Sequence, residues 1–257
     1  MIPVIPWYLE LVVLAINSVL ALAVWSIFSG AAGRSGLSPA EQRKVRIGVA
    51  LFLGAWLGAA LFLAPAPESL LSRDRFYLSP LIPVFLLASI GIALLAVQLS
   101  PSFRRVLAAL SIPAIIGVQL YRTIGAVFVI LLALGQLPSY FALPAGWGDI
   151  VVGLSAPLVA FALARNVRGS RTIAIGWNVF ALLDLVVAVG MGTGFLAPVL
   201  APNLGSRVAP AGVMGVYPMI LVPTFLVPMS VLLHGIALTR LLRGVKLKLG
   251  LSPRAAA

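Results

Sequence analysis

The sequence predicts an all-α protein that crosses a membrane seven times, and three observations predict it. The chain of 257 residues is 61% hydrophobic and only 9% charged, with a mean hydropathy of +1.13. A soluble domain carries about 25% charged residues, so this chain has too little polar side chain to face water on all sides. Its apolar residues gather in runs of about 20, the length at which a helix spans the hydrocarbon core. Its basic residues fall in short clusters between those runs, as they do in oriented membrane proteins. Nucleic acid would need them on one solvated patch, and is not an expected partner. There are no cysteines, which excludes disulfides, thiolate zinc sites and Fe–S clusters. The opening MIPVIPWYLE lacks a positive n-region and a small-residue cleavage site and reads as the start of a first helix rather than a signal peptide.

The first span is expected from about Trp7 to Phe28, with Trp7, Tyr8 and Trp25 at the interfaces where amphipathic rings prefer to sit. Ser38, Pro39 and Glu41 form a capping-box pattern with proline at the first helical position. The second span therefore starts near Pro39 and crosses to about Phe62, carrying Gly54 and Gly58 in a G-x-x-x-G pair that suits close helix approach. The third runs from about Pro80 to Gln98, closed by Arg104 and Arg105.

Pro113 is expected to break the first turns of the fourth span, which runs to about Gln136 and holds Gln119 and Arg122. LPSYFALPAGWG reads as its exit, and the fifth span continues from Asp149, read as a helix cap, to Leu163. The sixth covers about Thr172 to Met191 with Asn178 and Asp184. The seventh, about Tyr217 to Leu242, holds His234 and three prolines, Pro218, Pro223 and Pro228, each of which removes a backbone hydrogen bond. Carbonyls freed in this way at membrane depth are tolerated only where protein or a cavity satisfies them.

Assigning the loops alternately to the two sides separates the charges. One side collects Arg34, Arg43, Lys44, Arg46, Arg104, Arg105, Arg165, Arg168, Arg171, Arg240, Arg243, Lys246, Lys248 and Arg254; the other has Arg73, Arg75 and Arg207. The positive-inside rule then places the N-terminus outside and the C-terminus in the cytoplasm of a cell membrane of bacterial inner-membrane type. Residues 1–257 read as a single seven-helix domain, with 244–257 as a basic cytoplasmic tail. Phe62 with Pro65, Phe141 with Pro144 and Phe195 with Pro198 repeat F-x-x-P at three span ends. This reads either as three related hairpins or as interfacial aromatics beside helix-stopping prolines.

The candidate site residues are the ionisable and strongly polar groups within the spans. Asp184 lies about 18 Å from the cytoplasmic end and Arg122 about 15 to 24 Å, at 1.5 Å per residue. The expectation is a ladder of three rungs: Glu10 with Asp149 at the outer face, Arg122 with Asp184 at mid-membrane, and Asn178 with His234 on the inner third. An arginine at the centre of a span costs about 2.5 to 3.5 kcal/mol on insertion scales and normally faces a partner or a wet cavity. As a functional path the ladder would carry a small polar solute or a proton, with Arg122 receiving an anionic group. As a structural device Arg122 and Asp184 would be a buried pair that fixes helix packing.

Enzyme chemistry finds little footing. Gly153, Leu154, Ser155 and Ala156 approach the G-x-S-G motif of rhomboid proteases but depart from it at Ala156, and depth counting puts Ser155 in the outer half, away from His234. One histidine cannot make bis-histidine haem, H-E-x-x-H is absent, and the seventh span has no lysine for retinal. No catalytic residue, metal ligand or cofactor is predicted. The leading expectation is a small-solute or proton-linked transporter. The alternatives are a non-catalytic partner or assembly subunit that docks through Gly54 and Gly58 or the 138–149 stretch, and an intramembrane enzyme or cofactor carrier. Expected partners are bilayer lipid, a small polar or anionic solute and another membrane protein.

Overall fold

A computed structural model describes residues 5–67, 81–196, 199 and 211–248, with side chains as far as 243. The described residues are helical and contain no strand. Seven helices are long and apolar enough to cross a membrane, and the chain is an integral, multi-pass membrane protein. α1 covers Trp7–Gly33, α2 Pro39–Phe62 and α3 Leu81–Leu99. A short helix, α4, follows at Pro101–Ala109. α5 spans Ile112–Ala133, α6 Ser139–Ala164 and α7 Ser170–Gly192. The seventh span opens with a π-helical turn at Val222–Leu226 and continues as α8, Val227–Lys248. Arg73, Arg75, Arg207, Pro198 and Arg254, and the side chains of Lys246 and Lys248, lie outside the described part.

The end of the bundle where α2 begins is fastened by local chemistry. Ser38 and Glu41 make the reciprocal capping box that starts α2. Glu41 also accepts from Ser102 Oγ at 3.0 Å, which ties α2 to α4. α4, not foreseen from the sequence, lays Phe103 on Phe28 of α1 at 5.9 Å between ring centroids. Its Arg104 donates to the Val97 and Gln98 carbonyls at the end of α3. Arg240 of α8 reaches the Leu110 carbonyl that follows α4.

α5 differs from expectation at both ends. Pro113 starts the helix instead of breaking it, because Ser111 caps the N-terminus and proline in the first turn has no intrahelical hydrogen bond to lose. The helix stops at Ala133, where Gly135 takes a positive φ of 69° and Gln136 N–H returns to the Leu131 carbonyl at 2.8 Å. Between these ends the helix tightens into a 3-10 stretch, Val118–Ile124, which carries Arg122.

The largest correction concerns α6. The stretch read as a loop up to Asp149 is the first third of one continuous helix, and Pro144 lies inside it. Its buried face is a stripe of small residues at helical spacing, Ala142, Ala145, Gly146, Gly153, Ala156 and Ala160, with Asp149 in the middle. Such stripes let membrane helices come close where water-driven burial is absent. α6 packs on both α5 and α7, and the contact with α5 has no room for a side chain. A Cβ on Gly125 would stand 2.6 Å from Asp149 Cβ, and one on Gly153 would stand 2.5 Å from the Thr123 nitrogen. Gly54 and Gly58 of α2, by contrast, face outward with nothing within 4 Å.

The F-x-x-P repeat has no common environment. Phe62 and Phe195 are exposed at span ends, whereas Phe141 is buried in the first turn of α6 against Phe128, 5.6 Å between centroids.

The seventh span begins at Val222 and not at Tyr217, so Pro218 precedes it; Pro223 and Pro228 lie in its first turns, where groups from other helices bond to the backbone. Pro228 cannot donate to the Thr224 carbonyl four residues earlier; the Trp56 indole of α2 does so instead, at 2.8 Å. The Leu226 carbonyl in the π turn accepts from the Tyr121 hydroxyl at 3.0 Å.

Filling a packed helix contact costs about 1 to 3 kcal/mol. Gly125→Ala is therefore expected to lower stability by that much in detergent, followed by thermal unfolding of the tryptophan fluorescence, while Gly54→Ala leaves the midpoint unchanged. Trp56→Phe, which strands a buried carbonyl, is expected to cost about 1 to 3 kcal/mol in the same measurement.

Candidate functional site

Arg122 is 1% exposed, the largest fully buried side chain among the described residues. It is held from two neighbouring helices. Nε donates to Asp149 Oδ1 of α6 at 2.6 Å, and Nη2 lies 2.6 Å from the same oxygen. Nη2 also donates to Asp184 Oδ2 of α7, and Nη1 to the Ala181 carbonyl at 3.2 Å. Gly148 makes room for this on α6, since a Cβ there would come within 2.5 Å of the Asp184 carboxyl carbon. The middle of the bundle is thus one guanidinium clasped by two carboxylates.

Asp149 consequently belongs at mid-membrane and not with Glu10 at the outer face. It lies ten residues past the start of α6, about 15 Å along the axis, and caps nothing. Glu10 instead accepts from the Tyr217 hydroxyl at 2.6 Å, and Tyr217 N–H donates to the Pro65 carbonyl at 2.8 Å.

Asn178 and His234 are brought together, both buried, with Nδ1 of the histidine 2.8 Å from Asn178 Oδ1. Asn178 Nδ2 donates to the Ala174 carbonyl at 2.7 Å, so the amide oxygen faces the ring. Nδ1 must therefore carry the hydrogen. That leaves His234 Nε2 buried without a hydrogen-bond partner.

Ser155 is level with this pair, not in the outer half, because α6 begins ten residues earlier than expected. Its hydroxyl is committed all the same: it donates to the Val151 carbonyl at 2.6 Å and accepts from Trp177 Nε1 at 2.8 Å. The Trp177 ring in turn faces His234 at 5.3 Å.

Between the two levels lies a third cluster that depth counting missed. Ser230 donates to Gln119 Oε1 at 3.2 Å, and the Tyr121 hydroxyl sits between Ser230 Oγ and the Leu226 carbonyl. Gln119 Nε2 is buried without a partner. Ser230 stands four residues before His234, one turn up the same face of α8. That spacing is the signal the sequence held, and Tyr121 beside Arg122 was the other half of it.

A half-open cavity reaches this interior from the end of the bundle where α6 begins and α7 ends. Its wall is apolar, with Phe128, Phe141, Leu185, Met214 and Pro223 among the lining residues, and among the described residues Asp149 is the one charged group in the lining. A narrow space shares Asp149, Leu185, Val222 and Val227 with it and continues past Arg122 to Tyr121 and Ser230. Among the described residues no group of three His, Cys, Asp or Glu side chains is placed to hold a metal ion.

Removing one partner of a buried pair typically costs about 3 to 5 kcal/mol. Arg122→Gln is expected to lose that much in detergent unfolding, because it leaves two carboxylates facing each other. Adding Asp149→Asn and Asp184→Asn to it is expected to recover part of the loss, a non-additivity that independent sites would not show.

No curated protein and no solved structure matches the chain. One family profile does, described as a domain of unknown function, DUF8737, over residues 79–242. The matched stretch runs from just before α3 to the inner end of α8 and includes Gln119, Arg122, Asp149, Asn178, Asp184 and His234, leaving out α1 with Glu10 and α2 with Trp56. Since it covers well over half of the sequence and the whole of the buried charge cluster, the protein belongs to the DUF8737 family.

Proposed function

We propose that this protein is a proton-linked transporter of small solutes in the cell membrane, with Arg122, Asp149 and Asp184 as its central site. The observation that carries the reading is the charge at the floor of the cavity. Two carboxylates against one guanidinium leave one negative charge in excess, in a medium where an uncompensated ion costs several kcal/mol. A proton or a cation makes up the difference. A solute arriving through the cavity meets that exchangeable positive charge first, because Arg122 has both carboxylates on it and presents no free fork to an anion. This favours a cation over the anionic solute expected from the sequence.

Further support comes from what lies inward. From Asp184 to Asn178 is six residues along α7, about 9 Å, and Gln119, Ser230, Asn178 and His234 supply polar groups over that stretch. The distribution of basic residues supports the orientation, N-terminus outside and C-terminus in the cytoplasm, so the cavity would open outward. A reporter fused to the C-terminus is expected to be active only in the cytoplasm.

A second reading, as an assembly subunit, is supported by one observation, the outward-facing Gly54 and Gly58. Under it, Gly54→Leu with Gly58→Leu releases a membrane partner that co-purifies with the unaltered protein.

Transport is tested in proteoliposomes loaded with a pH-sensitive dye, with small amines, carboxylates and neutral solutes added in turn. At least one class is expected to evoke a proton flux that Asp149→Asn and Asp184→Asn reduce more than tenfold. Silence from every class, with the fold intact by tryptophan fluorescence, overturns the reading.

A further inference from the structure

We infer that the outer cavity takes lipophilic monovalent cations, held by Asp149 as counter-ion, and exchanges each for one proton; this rests on the transport reading above. The walls and the floor of the cavity make different demands. The walls are apolar, and a strongly hydrated solute would lose its water there without finding replacements. A metal cation is disfavoured for the same reason, because hard cations require about six or more oxygen ligands and the lining offers one carboxylate and the Thr193 hydroxyl, itself bonded to the Gly190 carbonyl at 3.3 Å. The floor rejects an anion, which would meet Asp149 before Arg122. A neutral apolar molecule suits the walls and leaves the excess carboxylate uncompensated.

A compound with an apolar surface and one positive charge satisfies both. Phe128 and Phe141 lie in the lining, and their ring faces attract cations that approach them.

Exchange follows from the charge count. The groups facing Asp149 are Arg122 from α5 and Asp184 from α7, with Tyr121 and His234 of α8 next beyond; α3 and the π turn contribute apolar residues, Ile82 and Val222 among them. Of these, one positive and two negative charges are in direct contact, so a single added positive charge balances the cluster and a second would overload it. When the cation enters, the proton shared by the carboxylates leaves to water; when the cation departs, a proton returns. Charge is conserved at each step, and the exchange of a monovalent cation for a proton is electroneutral. A pH gradient drives it and a membrane potential does not.

The probe is tetraphenylphosphonium, with triphenylphosphine oxide as its neutral counterpart. Both are titrated calorimetrically into the full-length protein in mild detergent, in two buffers of different ionisation heat. The expected result is binding of the cation with release of one proton, affinity falling about tenfold for each unit by which pH is lowered where the carboxylates are protonated, and at least tenfold weaker binding of the phosphine oxide. Asp149→Asn is expected to abolish the proton release. Should that variant not fold, Asp149→Glu keeps the charge and is expected to keep the release.

Equal affinity for the two compounds, binding without proton release, or no binding to folded protein overturns the inference. If the cation fails while another solute class gives Asp149-dependent proton flux, the ligand class is wrong and the transport reading stands; if all classes are silent as well, both fall.

Discussion

One guanidinium shared by two carboxylates in the middle of an apolar bundle is the constraint on which the rest depends. Such a cluster survives only if its members touch, because each ion has been taken out of water and recovers that loss only from its partners. Touching requires three helices to come together at one level. α5 supplies Arg122, α6 supplies Asp149 and α7 supplies Asp184. Their axes can approach because Gly125, Gly146, Gly148 and Gly153 leave no side chains between them. Small residues and buried charge are therefore two aspects of one design, since the glycines set the distance and the charges make that distance worth keeping.

The same logic governs the seventh span. Pro223 and Pro228 remove backbone donors where no water can replace them, and the polar tips of aromatic residues from other helices bond to carbonyls of this turn: Trp56 to that of Thr224, which Pro228 cannot reach, and Tyr121 to that of Leu226. Thr224 also turns its own hydroxyl back to the Ile220 carbonyl at 2.6 Å. The irregular turn is thus locked to α2 and α5 on two sides, and the small space next to Arg122 shares its walls. Backbone that is poor at bonding itself has become the means by which distant helices are registered.

Much of this was legible in the sequence. Span count and helix type follow from run length and composition, which the bilayer dictates almost alone. The pairing of Asn178 with His234, and of Arg122 with Asp184, follows from counting rise per residue from the charged ends. What failed was the reading of 138–149, where Pro138, Pro144 and two glycines look like a loop by rules learned in water. In a bilayer those residues stay helical because neighbouring helices satisfy the freed groups. The error moved Asp149 from the middle of its helix to an end and set Ser155 apart from the level of Asn178 and His234. The small-residue stripe through Asp149 was the available correction, since a loop has no reason to keep helical spacing. Tyr121 and Ser230 escaped for another reason: hydroxyls inside a span carry no charge, and only contact with each other gives them meaning.

The 3-10 stretch at Val118–Ile124 couples two quantities that are otherwise independent. A 3-10 turn rises about 2.0 Å per residue where an α-helix rises about 1.5 Å, and each residue turns about 120° instead of 100°. Seven residues held in the tighter form make α5 about 3.5 Å longer than a uniform helix of the same sequence. They also fix the compass direction in which Arg122 leaves the axis. The length of this helix and the aim of its charge are consequently one variable. A relaxation of the stretch toward α-helix would shorten the span and swing the guanidinium away from its carboxylates in a single movement, so the grip of Asp149 and Asp184 acts as a latch on the extension of the helix itself.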